Sequence, residues 1–411
     1  MLRREFLSRI GSASAYAIAT ELQARPRALR VGVVGGGIVG ASIALHLAQA
    51  GARVTLFEKA QPASGATQNS FAWLNAFVAD PHYRSLRLQS LMAYHDLDRL
   101  LKLGIVWGGY VNWAASAAEV EALRVNAAQL DGTANPVRAI NAAELAAMAP
   151  ALAPGEVAAA FFSRIDGHLN PVEVTQRFLA AAQLHGANVL LQCEVKELDL
   201  KGGALAGVDT NQGHLPLDRL VVAGGVNTPA LVAMAGLDLK LRHAPGILAH
   251  SRPMSIVTPI IFEGPGTVSF KQMTDGSIVG TDSPDPPDIS AHREIRARAI
   301  PFPDDTVRAM HGDRILTKIA EVLPPSRGVG LDRLTLGFRP MPFDELPVVG
   351  ALAGVPDVYV AVMHSGVTLA PIIGRFVTQE VLLGSRLRAL APYRPERLVR
   401  TTAGNQAGCI V

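Results

Sequence analysis

Cysteine is nearly absent: Cys193 and Cys409 are the only two in 411 residues. They are too few for a disulfide framework and lack the paired Cys or His spacing of a metal site, so no metal centre is expected. Charge is sparse as well, with 18% charged residues and a formal net charge of +3. Lys and Arg are scattered and form no stripe, which argues against a nucleic-acid partner. Aromatics are only 5%, yet hydrophobic residues reach 49%, enough for a packed core and too many for a disordered chain. No Ser-His-Asp or paired-carboxylate signature can be assigned, and no internal repeat or low-complexity domain is present. One long uncharged stretch, 358–374, contains His364, Ser365, Gly366 and Pro371. It reads as strand, loop and helix rather than a membrane span, so no transmembrane segment is expected in the mature chain.

What is present is a nearly complete βαβ unit. An apolar run, Val31 to Val34, enters Gly35-Gly36-Gly37-Ile38-Val39-Gly40, and apolar residues then recur at helical spacing through Ile43, Ala44, Leu47 and Ala48. Gly51 ends that helix, and Val54-Thr55-Leu56-Phe57 makes a second strand closed by Glu58. Gly35 permits a tight turn, Gly37 lets the backbone approach a pyrophosphate, and Gly40 allows close helix-strand packing. Glu58 is the carboxylate that would accept hydrogen bonds from ribose hydroxyls. Strand, glycines, helix, strand and acid in this order predict an adenine-dinucleotide site.

The N-terminus, Arg3-Arg4-Glu5-Phe6-Leu7 followed by small uncharged residues, resembles a twin-arginine export signal, with Ala17-Ile18-Ala19 as the cleavage region. That reading makes the protein periplasmic or exported; the alternative is a cytoplasmic chain with a basic N-terminal helix.

After Lys59 the chain runs through small polar residues, including Ser64, Gly65, Ala66 and Asn69, where a simple nicotinamide enzyme would begin another βα unit. Free amides there suit a second approach to phosphate. From this point the chain resembles the D-amino acid oxidase family of FAD-dependent oxidoreductases, which includes glycine oxidase, sarcosine oxidase and D-amino acid dehydrogenase, over most of residues 29–395. The resemblance implies an α/β fold: a Rossmann-like FAD-binding domain of the glutathione-reductase type, with an inserted antiparallel-sheet α+β substrate domain. It implies adenine contact near Val195, in a strand over 189–195 that includes Cys193, and pyrophosphate contact at Gly224-Gly225. Val226 and Asn227 depart from the family's usual residues in that turn.

Further on, Gly337-Phe338-Arg339-Pro340 resembles the family motif whose arginine pairs with the substrate carboxylate, a role suited to a planar two-donor fork. His364-Ser365-Gly366-Val367-Thr368 resembles the last flavin contact, where amides at a helix N-terminus face the ring. His364 is a candidate for the substrate face. Lys271, on an expected hairpin over 267–280, is a candidate oxygen-promoting cation, its ordinary reading being a solvated hairpin residue. Trp107, Tyr110 and Phe270 are further pocket candidates; a strand over 104–113 would carry the first two.

The expected organisation is 1–27 as signal or flexible N-terminus, and 29–75, 155–230 and 330–395 as a discontinuous FAD-binding domain. Residues 76–154 and 231–329 form the substrate domain, and 396–411 a flexible tail. Covalent flavin in some relatives needs a Cys or His at family-specific sites; the loop here has Gln68-Asn69 and no His, so the resemblance implies non-covalent FAD. The implied activity is oxidation of the C–N bond of a small amine or amino acid by hydride transfer to flavin N5, with oxygen or a quinone as acceptor and an oligomer as an open option. The alternative is a non-catalytic or partner-dependent flavoprotein subunit. A flavin monooxygenase would need a second nucleotide motif, which the sequence does not show.

Overall fold

A computed structural model describes residues 28–128, 137–265, 268–282, 293 and 305–401. The export-signal reading of residues 1–27 therefore lies outside the described residues.

Two sheets organise the chain. The first has six strands, in the order Val348–Leu352, Val355–Val362, Arg219–Val222, Arg30–Val34, Arg53–Glu58 and Asn188–Leu191. All neighbours are parallel except the Val348–Leu352 edge strand. Val31, Val33, Leu56, Val221 and Val360 in its strands are fully buried, as expected where parallel strands are covered on both faces. One cover is the helix Ile38–Gln49, which packs against Gly366–Leu383. Close approach is set by Gly374, whose position offers a Cβ only 2.5 Å from Ser42 Oγ, while that hydroxyl donates to the Ala370 carbonyl at 2.7 Å. Gly366–Leu383 is long and apolar enough to cross a membrane, but 67% of it is buried against the protein.

The second sheet has eight strands, in the order Leu331–Pro342, Leu241–Ser251, Ile278–Thr281, Ser269–Gln272, Ile261–Glu263, Tyr110–Ala114, Ala159–Ser163 and Val137–Ile140. One face packs Trp113, Phe262, Phe270 and Ile278 against Ile315 and Ile319 of the helix Asp305–Val322. Phe270 therefore belongs to the core and not to a pocket. By strand alternation the opposite face carries Tyr110, Glu263, Lys271, Gly337 and Arg339.

Several expectations are revised. Ala159–Ser163 and Leu331–Pro342 belong to the eight-stranded sheet because they pair along their lengths with Tyr110–Ala114 and Leu241–Ser251, whereas the division expected from sequence assigns both to the dinucleotide unit. The expected strand over 189–195 is two strands, Asn188–Leu191 and Val195–Lys201. Gln192, at φ 53, turns the chain between them, so Cys193 is buried in the link and not in a strand. Only Tyr110–Ala114 of the expected 104–113 strand forms. Gly109 has φ 82, and a Cβ at Gly108 would lie 1.9 Å from the Pro259 carbonyl oxygen. Trp107 instead stacks on His95 with ring centroids 3.9 Å apart. The C-terminal segment stays ordered past residue 396, since Val399–Thr401 pairs with Leu237–Leu239.

Candidate functional site

The glycine run forms a cradle at the carboxyl edge of the six-stranded sheet. Gly35 has φ +113, and a Cβ there would sit 2.4 Å from the Ala223 carbonyl oxygen, so glycine is required on both conformational and steric grounds. A Cβ at Gly40 would meet the Gly35 carbonyl oxygen at 2.0 Å, which explains the helix closing tightly on its strand. Gly37 caps the helix without a side-chain bond, and its first turn holds no acidic residue. The helix dipole and amides thus face the cradle without a competing carboxylate on that turn. Glu58 accepts from Gly36 N and Ala60 N, both at 2.7 Å, which fixes its carboxylate beside the turn.

The loop after Lys59 folds back onto this cradle. Ala63 N donates to the Gly36 carbonyl at 2.9 Å, and Ile38 N to Thr67 Oγ1 at 3.2 Å. Ser64, Gly65, Ala66 and Asn69 stand on this loop, with Asn69 Nδ2 donating to the Gly65 carbonyl at 3.0 Å. Val39 meets the second helix N-terminus, where a Cβ on Gly366 would lie 3.0 Å from Val39 Cγ2. Ser365 caps that helix without a side-chain bond to it, and its first turn also lacks an acid. Ala223, next to Gly224 and Gly225, completes the ring. Val195 lies near Glu58, two residues past Cys193, whose N–H donates to the Glu58 carbonyl at 2.9 Å. Two uncapped helix N-termini, a bare glycine turn and a fixed carboxylate fit the phosphates and ribose of FAD. Among the expected cofactor residues, Lys59, Ser64 and Gly65 are solvent-exposed.

A second group lies over the end of this ring. Gly337 approaches the loop so closely that a Cβ would sit 2.5 Å from Asn69 Cβ. Two residues on and on the same strand face, Arg339 donates through Nε to the Ala244 carbonyl and through Nη2 to the Pro245 carbonyl, each at 3.2 Å. His364 stands near it. Desolvation first, then the guanidiniums of Arg339 and Arg87, hold its imidazole below the ordinary histidine range, although its side chain keeps an exposed edge.

Lys271 departs from the solvated-hairpin reading. It is 1% exposed, with Nζ 3.5 Å from the Ala72 carbonyl oxygen and 3.4 Å from that of Leu169. Burial pushes its amine down to about 7. Its neighbourhood holds groups that the sequence reading missed. Asp166 is fully buried and accepts from Trp73 Nε1 at 2.7 Å and from the Ser163 hydroxyl. Burial raises its carboxyl to about 7 against the opposing pull of those two bonds. Arg87, 7% exposed, donates to Asn75 Oδ1 at 2.7 Å and to Ser365 Oγ at 2.5 Å. It sits in the apolar stripe Tyr83, Arg87, Leu91, Tyr94, and a cation on a helix's buried face was the sequence signal available.

Residues 30–380 match a family model described as FAD dependent oxidoreductase. The chain is 24% identical to human mitochondrial dimethylglycine dehydrogenase over 94% of its own length but only 46% of that protein; it spans just under half the length of the mammalian relatives of this kind. It is 26% identical to glycine oxidase of Geobacillus kaustophilus, covering 88% of this chain and 95% of that one. Among solved structures, L-proline dehydrogenase from P. horikoshii superposes with a TM-score of 0.76 at 23% identity, over 91% of this chain and 98% of that one, and is alike in fold.

Proposed function

Since the chain belongs to the family of FAD-dependent oxidoreductases, we propose that it oxidises the C–N bond of a small amine or amino acid, with FAD held non-covalently. The observation that carries this reading is the approach of Gly337 to Asn69, which supports Arg339 as a carboxylate anchor above the loop that follows the dinucleotide cradle. The relatives named for glycine and dimethylglycine support the amine class.

FAD, when bound, supplies a two-electron acceptor at N5 for the hydride that leaves the carbon beside nitrogen. In this proposal the amides of Gly37, Ile38, Val39 and Gly40 and of the 64–69 loop hold the pyrophosphate, with Gly224 and Gly225 closing the far side. Glu58 takes the ribose hydroxyls and the backbone at Val195 the adenine. Ser365, Gly366, Val367 and Thr368 would hold the flavin ring at a helix N-terminus, whose dipole would favour negative charge there. Arg339, set by two backbone carbonyls, orients the substrate carboxylate. His364, kept neutral, takes the proton that the substrate ammonium must lose before the hydride departs. Lys271 is the cation that assists return of electrons to oxygen; a quinone is the other acceptor this site allows.

The test is purification followed by acid precipitation and product analysis. Flavin released into the supernatant, with ammonia or an alkylamine and a carbonyl product formed from one amine, is the expected result. Flavin retained on the precipitated chain contradicts the non-covalent reading. A flavin that amines reduce only after a second protein is added favours a partner-dependent subunit instead.

A further inference from the structure

A cavity of about 310 Å³ lies on the face of the eight-stranded sheet that carries Lys271, at the lower end of the range for small-molecule pockets. Tyr110, Asn112 and Glu263 line it from the sheet, Trp73 and Phe77 from the segment that leaves the dinucleotide loop, and Leu123 from the helix Ala117–Ala128. Its position relative to Lys271 follows from strand register. Ser269 and Phe270 pair with Glu263 and Phe262, and Ile261 pairs with Tyr110. Continuing the register by one residue places Lys271, Ile261 and Tyr110 in one cross-strand row, with Lys271 and Tyr110 roughly 10 Å apart at two strand spacings. Ala72, whose carbonyl faces Lys271, directly precedes Trp73.

The chemistry of the walls is one-sided. Trp73 and Tyr110 have ring centroids 4.4 Å apart, and Phe77 and Tyr110 5.2 Å, so three rings make one continuous aromatic wall. Their polar tips are engaged: the Trp73 N–H donates to Asp166 and the Tyr110 hydroxyl to Glu263 at 2.5 Å. Glu263 is the charged group among the described lining residues, and no described Lys or Arg forms an ion pair with it. A carboxylate held against aromatic rings, with aliphatic walls around it, attracts a cation on a hydrocarbon stem through both charge and ring quadrupole.

We propose that this cavity receives the distal end of the substrate and selects a cationic one, an ammonium or guanidinium on an alkyl chain, with Glu263 as its counter-ion and the Trp73–Phe77–Tyr110 wall beside the stem. This rests on the amine-oxidoreductase reading and narrows it to basic amino acids or related diamines.

Isothermal titration calorimetry on the FAD-loaded protein tests it, with both enantiomers of lysine against both of norleucine, which matches the stem without the charge. Lysine of one hand is expected to bind at least tenfold more tightly than norleucine. Glu263→Gln, whose amide oxygen still accepts from Tyr110, should erase that preference and leave norleucine unchanged. Equal affinities, no binding by either amino acid, or a preference that survives Glu263→Gln each overturn the proposal; the wild-type comparison stands even if the variant folds poorly. Flavin bleaching by these compounds and by small neutral amines such as glycine and N-methylglycine separates the two readings. Bleaching by small neutral amines with no lysine preference removes the cation pocket and keeps the enzyme class, whereas Glu263-dependent lysine binding without bleaching by any amine keeps the pocket and removes the class.

Discussion

Lys271 of the eight-stranded sheet places its Nζ 3.5 Å from the carbonyl oxygen of Ala72, so the segment leaving the dinucleotide loop holds a buried amine. Because burial lowers this amine to about 7 from 10.5, the native state binds fewer protons than the unfolded chain between those values. Stability should therefore rise with pH across that window and be lost as pH falls toward 7. Lys271→Met is expected to flatten this slope in denaturant unfolding at pH 7 and 9.

The same variant bears on electron return. If the ammonium assists oxygen, reoxidation of the reduced wild-type enzyme by dissolved oxygen slows as pH rises through about 7. Lys271→Met should lower that rate by about tenfold or more and remove its pH dependence. Unchanged stopped-flow reoxidation would assign electron return to another acceptor.

Asp166 gives the opposite sign. Its buried carboxyl is raised from 3.8 to about 7, so the native state holds a proton that the unfolded chain has lost. Stability is fully present below 3.8 and declines as pH climbs to about 7. Asp166→Asn, which keeps an acceptor for the Trp73 N–H, should abolish the decline when melting is followed from pH 4 to pH 7.

Arg339→Lys keeps the charge but loses the fork. For a carboxylate-bearing amine, KM should rise roughly tenfold to a hundredfold, while the protein purifies with its full flavin content. Loss of flavin together with activity would show instead that the strand positions the cofactor loop.

Glu58→Gln removes the carboxylate that Gly36 N and Ala60 N hold beside the cradle. The dissociation constant for FAD should rise by roughly tenfold, read by fluorescence titration of the apoprotein, with the fold intact by circular dichroism.

The dinucleotide unit was legible because its signal is local. Glycines at fixed offsets, one apolar helix and a terminal acid all fall within residues 30–58. Arg339 and the 365–368 helix start were legible through resemblance. What the sequence hid depends on sheet pairing. Lys271 reads as a hairpin residue until neighbouring strands bury it, and Trp107 and Tyr110, three residues apart, diverge because Gly108 and Gly109 break the strand between them. Asp166 stands shortly before the helix Pro171–Leu184 and carries no sequence signal of its own; only the meeting of Ser163 and Trp73 around it makes it a buried acid. Glu263 carries no sequence signal beyond ending an apolar strand, since its neighbour Tyr110 lies 153 residues away.

The central claim, amine oxidation on bound FAD, is tested most directly by the absorbance spectrum of the purified protein under anaerobic conditions, before and after a panel of amines. The panel comprises glycine, N-methylglycine, proline and both enantiomers of neutral and basic amino acids. The account predicts flavin bands that bleach with at least one of them, basic amino acids foremost. Flavin bands that none of these compounds alters would contradict it.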